Sequence, residues 1–174
     1  MTATTSLLPL FQRILLATDG TVTHLLEVYA EEPIEAVKLA QDLDTSRETD
    51  AGLEVSPGAR LLRRRVLLRG HRSRRNLLYA EAVVVPERVP LEVLNGLLRT
   101  DQPIGSLLAD ARTETFREVL LVDREPAGAC ARHFGIDANA ELLFRTYRIL
   151  SRGQPVMLIT EKFPADFFFR GLPA

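Results

Sequence analysis

The tightest constraint on the fold is a pair of apolar runs, residues 142–150 and 155–163, separated only by "SRGQ". A glycine with polar neighbours between two such runs predicts a β-hairpin. Successive side chains of a strand point to opposite faces, so Met157, Ile159, Glu161 and Phe163 share one face. One carboxylate therefore stands among apolar neighbours.

The same reading extends along the chain. Residues 61–69, 77–85 and 118–122 read as further strands, the first two joined by the turn-rich "RGHRSRRN". Helices are expected over residues 9–18, where Leu10, Phe11, Ile14 and Leu15 form a stripe, and from Pro90, where Leu91, Leu94, Leu97 and Leu98 do. Shorter helices are expected over 104–109 and 127–134, while 23–30 suits a strand or a helix equally. Residues 38–58 are polar and acidic with a Pro-Gly pair, which predicts a long loop or partly helical excursion. Hairpin-linked strands with helices set between them give an α+β fold with a mostly antiparallel sheet. Its 174 residues fit a single domain, 1–174.

Composition excludes several classes. A hydrophobic fraction of 46% and a charged fraction of 26% match a soluble globular chain, and no apolar run reaches the roughly 20 residues a membrane span needs. The first residues lack the basic start and apolar stretch of an export signal, and the one cysteine, Cys130, has no internal disulfide partner; both point to the cytoplasm. The net charge is -1, yet acids crowd 27–54 and seven arginines fall within 63–75. With no interleaved stacking aromatics, that basic block reads as a solvated hairpin tip and not as a nucleic-acid surface. Three scattered histidines give no metal-ligand spacing, Cys130 and His133 lack a third orienting residue, and no phosphate-cradling glycine loop or GxSxG is present. No cofactor or metal is expected.

In "LLRRRVLLR", Leu62, Arg64, Val66 and Leu68 share an apolar face on which Arg64 is the one polar group. A buried, unpaired charge costs several kcal/mol, so Arg64 requires a carboxylate from the protein or an anionic ligand. Two readings follow. Arg64 and Glu161 form a structural salt bridge in the core, or both line a cavity where the guanidinium grips a carboxylate and Glu161 accepts a ligand hydroxyl.

The blocks "LLATDGTVTHLLE", "LLRRRVLL", "YAEAVVVP", "TDQPIGSLL", "FREVLL" and "RTYRILSRGQPVMLITEKFP" occur in an order and spacing that resemble the chorismate pyruvate-lyase family over about residues 9–168. They look closer to its actinobacterial and cyanobacterial branch than to the proteobacterial one. The resemblance implies a buried site on an antiparallel sheet, closed by helical flaps, that eliminates pyruvate from chorismate to leave 4-hydroxybenzoate. It places the catalytic arginine on Arg64, the acid on Glu161 and a carboxylate-holding amide on Ile104 beside Gly105. A further contact falls on Val22, where relatives carry a larger methionine. Alternatives from the same resemblance are a biosynthetic enzyme for another carboxylated substrate, or a binding module like the effector domains of GntR-type regulators, although residues before Pro9 leave no room for a winged-helix domain. Partners are thus a small-molecule substrate, with no nucleic acid and no membrane; the oligomeric state is not readable.

Overall fold

In the computed structural model, which describes residues 8–167, a six-stranded antiparallel sheet carries five α-helices. The strands are β1 (Ile34–Thr45), β2 (Arg60–Gly70), β3 (Asn76–Val84), β4 (Phe116–Pro126), β5 (Glu141–Ser151) and β6 (Gln154–Pro164), ordered β1-β2-β3-β6-β5-β4. The helices are α1 (Leu10–Ala17), α2 (Val22–Ala30), α3 (Leu91–Arg99), α4 (Ile104–Asp110) and α5 (Ala131–Phe134). The α+β expectation holds. The β5–β6 hairpin turns on Arg152 and Gly153, both with positive φ (52° and 77°), the two-residue geometry that matches strand twist. Among the described residues no helix is long and apolar enough to cross a membrane.

Register explains why one face of the sheet is so uniform. Arg64 pairs with Ala82, Ala82 with Ile159 and Ile159 with Tyr147; in the next row Val66 pairs with Ala80, Ala80 with Glu161 and Glu161 with Arg145. Cross-strand partners share a face. At one end of that face Leu68, Leu78, Leu143 and Phe163 pack under Leu15 and Leu16 of α1 and Leu26 of α2. At the other end Leu62, Val84, Ile149 and Met157 pack under Val93 and Leu97 of α3 and Leu107 and Leu108 of α4. Two helical pairs thus cover the two ends, and the rows between them carry Arg64 and Glu161.

Two expectations need correction. Residues 38–45 belong to strand β1 and not to a loop; only 46–59 forms turns before β2. β1 is an edge strand, half exposed, with a register shift at Lys38/Ala40, so it shows no apolar alternation. It is held by its neighbour: Asp42 lies opposite Arg63, Glu35 opposite Arg69, and Asp44 sits 3.7 Å from Arg63. The acidic block and the arginine block of the sequence therefore face each other across one strand pair. Second, α3 buries Val93 and Leu97, whereas Leu91 and Leu98 of the expected stripe are exposed. The ambiguous run at 23–30 is helix α2.

The basic hairpin tip is tied down by acids from the α2–β1 junction. Glu35 accepts from Arg69 (2.6 Å) and Arg74 (2.7 Å), and the buried Glu32 carboxylate accepts the amides of Arg72 (2.6 Å) and Ser73 (3.0 Å). On the sheet's other side, His133 stacks on Tyr79 with ring centroids 5.5 Å apart, and burial pushes the Cys130 thiol up. This makes Cys130 a poor nucleophile.

Candidate active site

Between the two helical pairs the sheet face lines a small buried cavity of about 60 Å³. Its floor is Val66, Ala80, Ala82 and Ile159, and two alanines side by side make the depression. Arg64, Glu161, Val22, Ile104 and Gly105 all line it. The five residues, spread over 140 positions of sequence, come together because β2, β6, α2 and α4 meet at this gap.

Arg64 is 2% exposed. Its Nη2 donates to the Gln102 carbonyl at 3.0 Å, while Nε and Nη1 meet no protein acceptor. Burial pushes its pKa down and the nearby Asp101 charge partly offsets this. A guanidinium remains charged in proteins, so two buried donors stay unmatched where an anion would satisfy them. The Arg64–Glu161 salt bridge is not formed. The two lie on β2 and β6 with β3 between, roughly 10 Å apart across the sheet.

Glu161 has other partners. Its Oε2 accepts from Arg145 Nε at 2.8 Å and its Oε1 from the Tyr147 hydroxyl at 3.0 Å. Arg145, 1% exposed, also donates through Nη1 to the Thr18 carbonyl at 2.6 Å, just after α1. Its guanidinium carbon lies 4.8 Å from the Tyr147 ring centroid. Burial, then the Glu161 charge, raise the Tyr147 pKa well above its usual value, so the hydroxyl is a donor. Sequence reading missed Arg145 although the signal was present. Leu143, Arg145, Tyr147 and Ile149 alternate in β5 as Met157, Ile159, Glu161 and Phe163 do in β6.

Arg117 of β4 also lines the cavity and donates to the Asp19 carbonyl at 2.9 Å. With Arg145 it stakes two successive carbonyls of the α1–α2 connection onto the sheet. The next residues, Gly20 to Thr23, form one cavity wall. The opposite wall is the start of α4, where Ile104 and Gly105 present first-turn amides that have no acceptor within the helix. A Cβ on Gly105 would stand 2.6 Å from Thr21 Cγ2, so glycine lets the two walls approach. Among the described residues no group of three or more His, Cys, Asp or Glu is placed to hold a metal.

The cavity is thus lined by two arginines and one fixed carboxylate, and comparison with known proteins places the chain in a family. The crystal structure of PhnF from Mycobacterium smegmatis superposes with a TM-score of 0.68 at 17% identity, over 86% of this chain and 66% of that chain. At that identity the likeness shows the fold, which is that of regulator effector domains. The chain is 31% identical over 161 residues to the chorismate pyruvate-lyase of Mycobacterium tuberculosis, covering 90% of this chain and 80% of that one. It is 34% identical over 157 residues to the chorismate pyruvate-lyase of Mycobacterium leprae, covering 90% and 75%. The family model described as chorismate pyruvate-lyase Rv2949c-like matches residues 16–168. By sequence, the chain belongs to the Rv2949c-like chorismate pyruvate-lyase family.

Proposed function

We propose that the chain is a lyase that eliminates pyruvate from chorismate to give 4-hydroxybenzoate, using Arg64 and Glu161. The observation that carries this reading is the pair of unmatched, buried N–H donors of Arg64 in a cavity that also holds a fixed carboxylate. Arg64 takes the ring carboxylate, with the Ile104 and Gly105 amides on the same side of the pocket. Val22 closes the wall against the ring, and Glu161 accepts a hydrogen bond from the ring hydroxyl. In the elimination the ring C–O bond to the enolpyruvyl ether breaks and the adjacent ring carbon loses its proton. The enolpyruvyl methylene gains a proton and becomes pyruvate. Aromatisation of the ring drives the step, so the protein's contribution is mainly to hold one conformation of the substrate.

The test is to incubate the protein with chorismate and follow both products. Pyruvate and 4-hydroxybenzoate are expected in equal amounts. Hydrogen bonds to charged groups contribute about 1.5–3 kcal/mol, so Arg64→Ala is expected to lose roughly 10- to 150-fold in kcat/KM. Near-normal activity in that variant would remove Arg64 from the role. The fold shared with the ligand-binding domain of a putative GntR-family regulator from Bordetella bronchiseptica supports one alternative, a module that binds a carboxylated ligand without converting it. Intact chorismate together with tight binding of such a ligand would favour that alternative.

A further inference from the structure

Chorismate carries two carboxylates, one on the ring and one on the enolpyruvyl ether, and Arg64 takes only the first. Among the described residues two arginines line the cavity, Arg64 and Arg117. A third beside it, Arg145, is already neutralised by Glu161 at 2.8 Å. Three guanidinium groups against one carboxylate leave two positive charges. Neither Arg64 nor Arg117 forms a salt bridge with a described residue, so the site holds one uncancelled cation for each carboxylate of a dianion.

Arg117 stands at the end of the cavity where the second carboxylate belongs. It comes from β4, opposite Ile149, another lining residue, and the sheet order puts β2 and β4 on opposite sides of β6, which carries Glu161. Burial and the Glu161 charge raise the Tyr147 pKa, and Arg145 and then Arg117 oppose them. The Arg117 charge is thus felt at the hydroxyl that donates to Glu161. In chorismate the ring hydroxyl is para to the ring carboxylate, and the ether oxygen is on the carbon next to the hydroxyl. With the carboxylate on Arg64 and the hydroxyl on Glu161, the ether leaves the ring beside Glu161. On the flank toward α1 the lining residue is Leu68, which offers nothing to a charge.

Depth separates the two arginines. Arg64 is buried, whereas Arg117 is half-buried on an edge strand. Its Nη1 donates to the Asp19 carbonyl at 2.9 Å, and Nε and Nη2 donate to no described residue. The closed cavity, about 60 Å³, is smaller than a ring with two carboxylates, so such a ligand enters by displacing the wall from Gly20 to Thr23. Arg117 fastens that wall at Asp19 and is therefore at the rim that opens. A planar guanidinium with two free donors is suited to a carboxylate there.

We propose that Arg117 is a specificity-determining residue that binds the second carboxylate of the ligand, so that the site selects a ring dicarboxylate over the monocarboxylate product. The assignment rests on the lyase reading for the identity of that dicarboxylate. After elimination the ring keeps only the groups held by Arg64 and Glu161, and pyruvate carries away the carboxylate held by Arg117.

The experiment is a calorimetric titration of wild type, Arg117→Met and Arg117→Lys with two ligands that cannot eliminate, 4-hydroxybenzoate and 3-(carboxymethoxy)-4-hydroxybenzoate. The second adds one carboxylate through an ether meta to the ring carboxylate. Wild type is expected to bind it roughly tenfold more tightly than 4-hydroxybenzoate, as one charge-assisted contact at a half-exposed site allows. In Arg117→Met that preference should vanish while the affinity for 4-hydroxybenzoate is kept, and Arg117→Lys should recover part of it. Added salt should erode the preference in wild type. A wall merely loosened by loss of the Asp19 contact lowers both affinities and leaves their ratio unchanged, and that outcome would overturn the proposal. Where Arg117→Met does not accumulate as folded protein, Arg117→Gln, which keeps an N–H donor without the charge, reads the same ratio.

Turnover gives a second readout. Arg117→Met should lower kcat/KM for chorismate by roughly tenfold with inhibition by 4-hydroxybenzoate unchanged, whereas Arg64→Ala should weaken both. Intact chorismate together with an Arg117-dependent preference would sink the lyase reading and leave Arg117 in place. Equal amounts of both products with a preference that survives Arg117→Met would do the reverse. A wild type that binds neither ligand would overturn both.

Discussion

At the scale of single residues, the site depends on where side chains are absent as much as on where charges sit. Ala80 and Ala82 open the floor, and Gly105 allows the first turn of α4 to lie against Thr21. A methyl group at Gly105 would stand 2.6 Å from Thr21 Cγ2 and 3.2 Å from Oγ1, closer than packed atoms tolerate. One wall must move, and overpacking of this kind costs about 1–3 kcal/mol. Gly105→Ala is expected to weaken 4-hydroxybenzoate binding by roughly 5- to 150-fold in calorimetry, and Thr21→Ser, which removes Cγ2, should recover most of it in the double variant. Failure of that rescue would show that the amide geometry and not the contact was lost. Arg64 and Glu161 were legible as lone charges on period-two apolar faces, and Arg145 was equally legible in β5. Arg117 was not, because β4 is an exposed edge with a register shift at Val119/Leu121 that breaks the alternation. Val22, Ile104 and Gly105 carry no chemical signal of their own and entered by family resemblance alone.

At the scale of elements, alternation was readable wherever one face is buried. β2, β3, β5 and β6 form the interior of the sheet and each shows it, whereas β1 is an edge strand whose polar side chains match arginines on β2. The information that makes residues 38–45 a strand lies in its partner, which no local window contains. The nine residues of α2 are too short a run for periodicity to separate helix from strand. The β2–β3 turn offers a test of how such partnered segments are held. Donors from Ser73, then from Arg72, keep the Glu32 carboxyl below its usual 4.5. A group whose folded pKa is depressed stabilises the fold above its unfolded pKa, and that contribution is lost as pH falls through the folded value. Urea midpoints of wild type should therefore drop between about pH 5 and pH 3, and Glu32→Gln should drop less over the same range. Parallel pH curves for the two proteins would mean that the Glu32 contacts do not depend on its charge.

At the scale of the whole molecule, the fold is a sheet whose one face is sealed at both ends by helical pairs, and a buried cation is kept beside the small cavity between them. The same arrangement that suits binding works against stability. Replacing a buried ionic group by an apolar side chain of similar volume is often neutral or stabilising by about 1–4 kcal/mol, and a domain of this size shifts by about 2–4 °C per kcal/mol. The one acceptor that Arg64 holds, the Gln102 carbonyl, belongs to an exposed residue and can be taken over by water. Arg64→Met is therefore expected to melt at the wild-type temperature or up to roughly 10 °C above it without ligand. Ligand should reverse the ranking. At a hundred times Kd, binding adds about 2.7 kcal/mol, so 4-hydroxybenzoate should raise the wild-type Tm by roughly 5–10 °C and leave Arg64→Met nearly unmoved. Scanning calorimetry with and without ligand measures both effects. If the unliganded variant melts well below wild type, Arg64 is a structural member of the core, and the unmatched donors of its guanidinium are not reserved for an anion. A variant that melts higher and no longer responds to ligand would show that the chain retains this charge for binding, at the expense of its own stability.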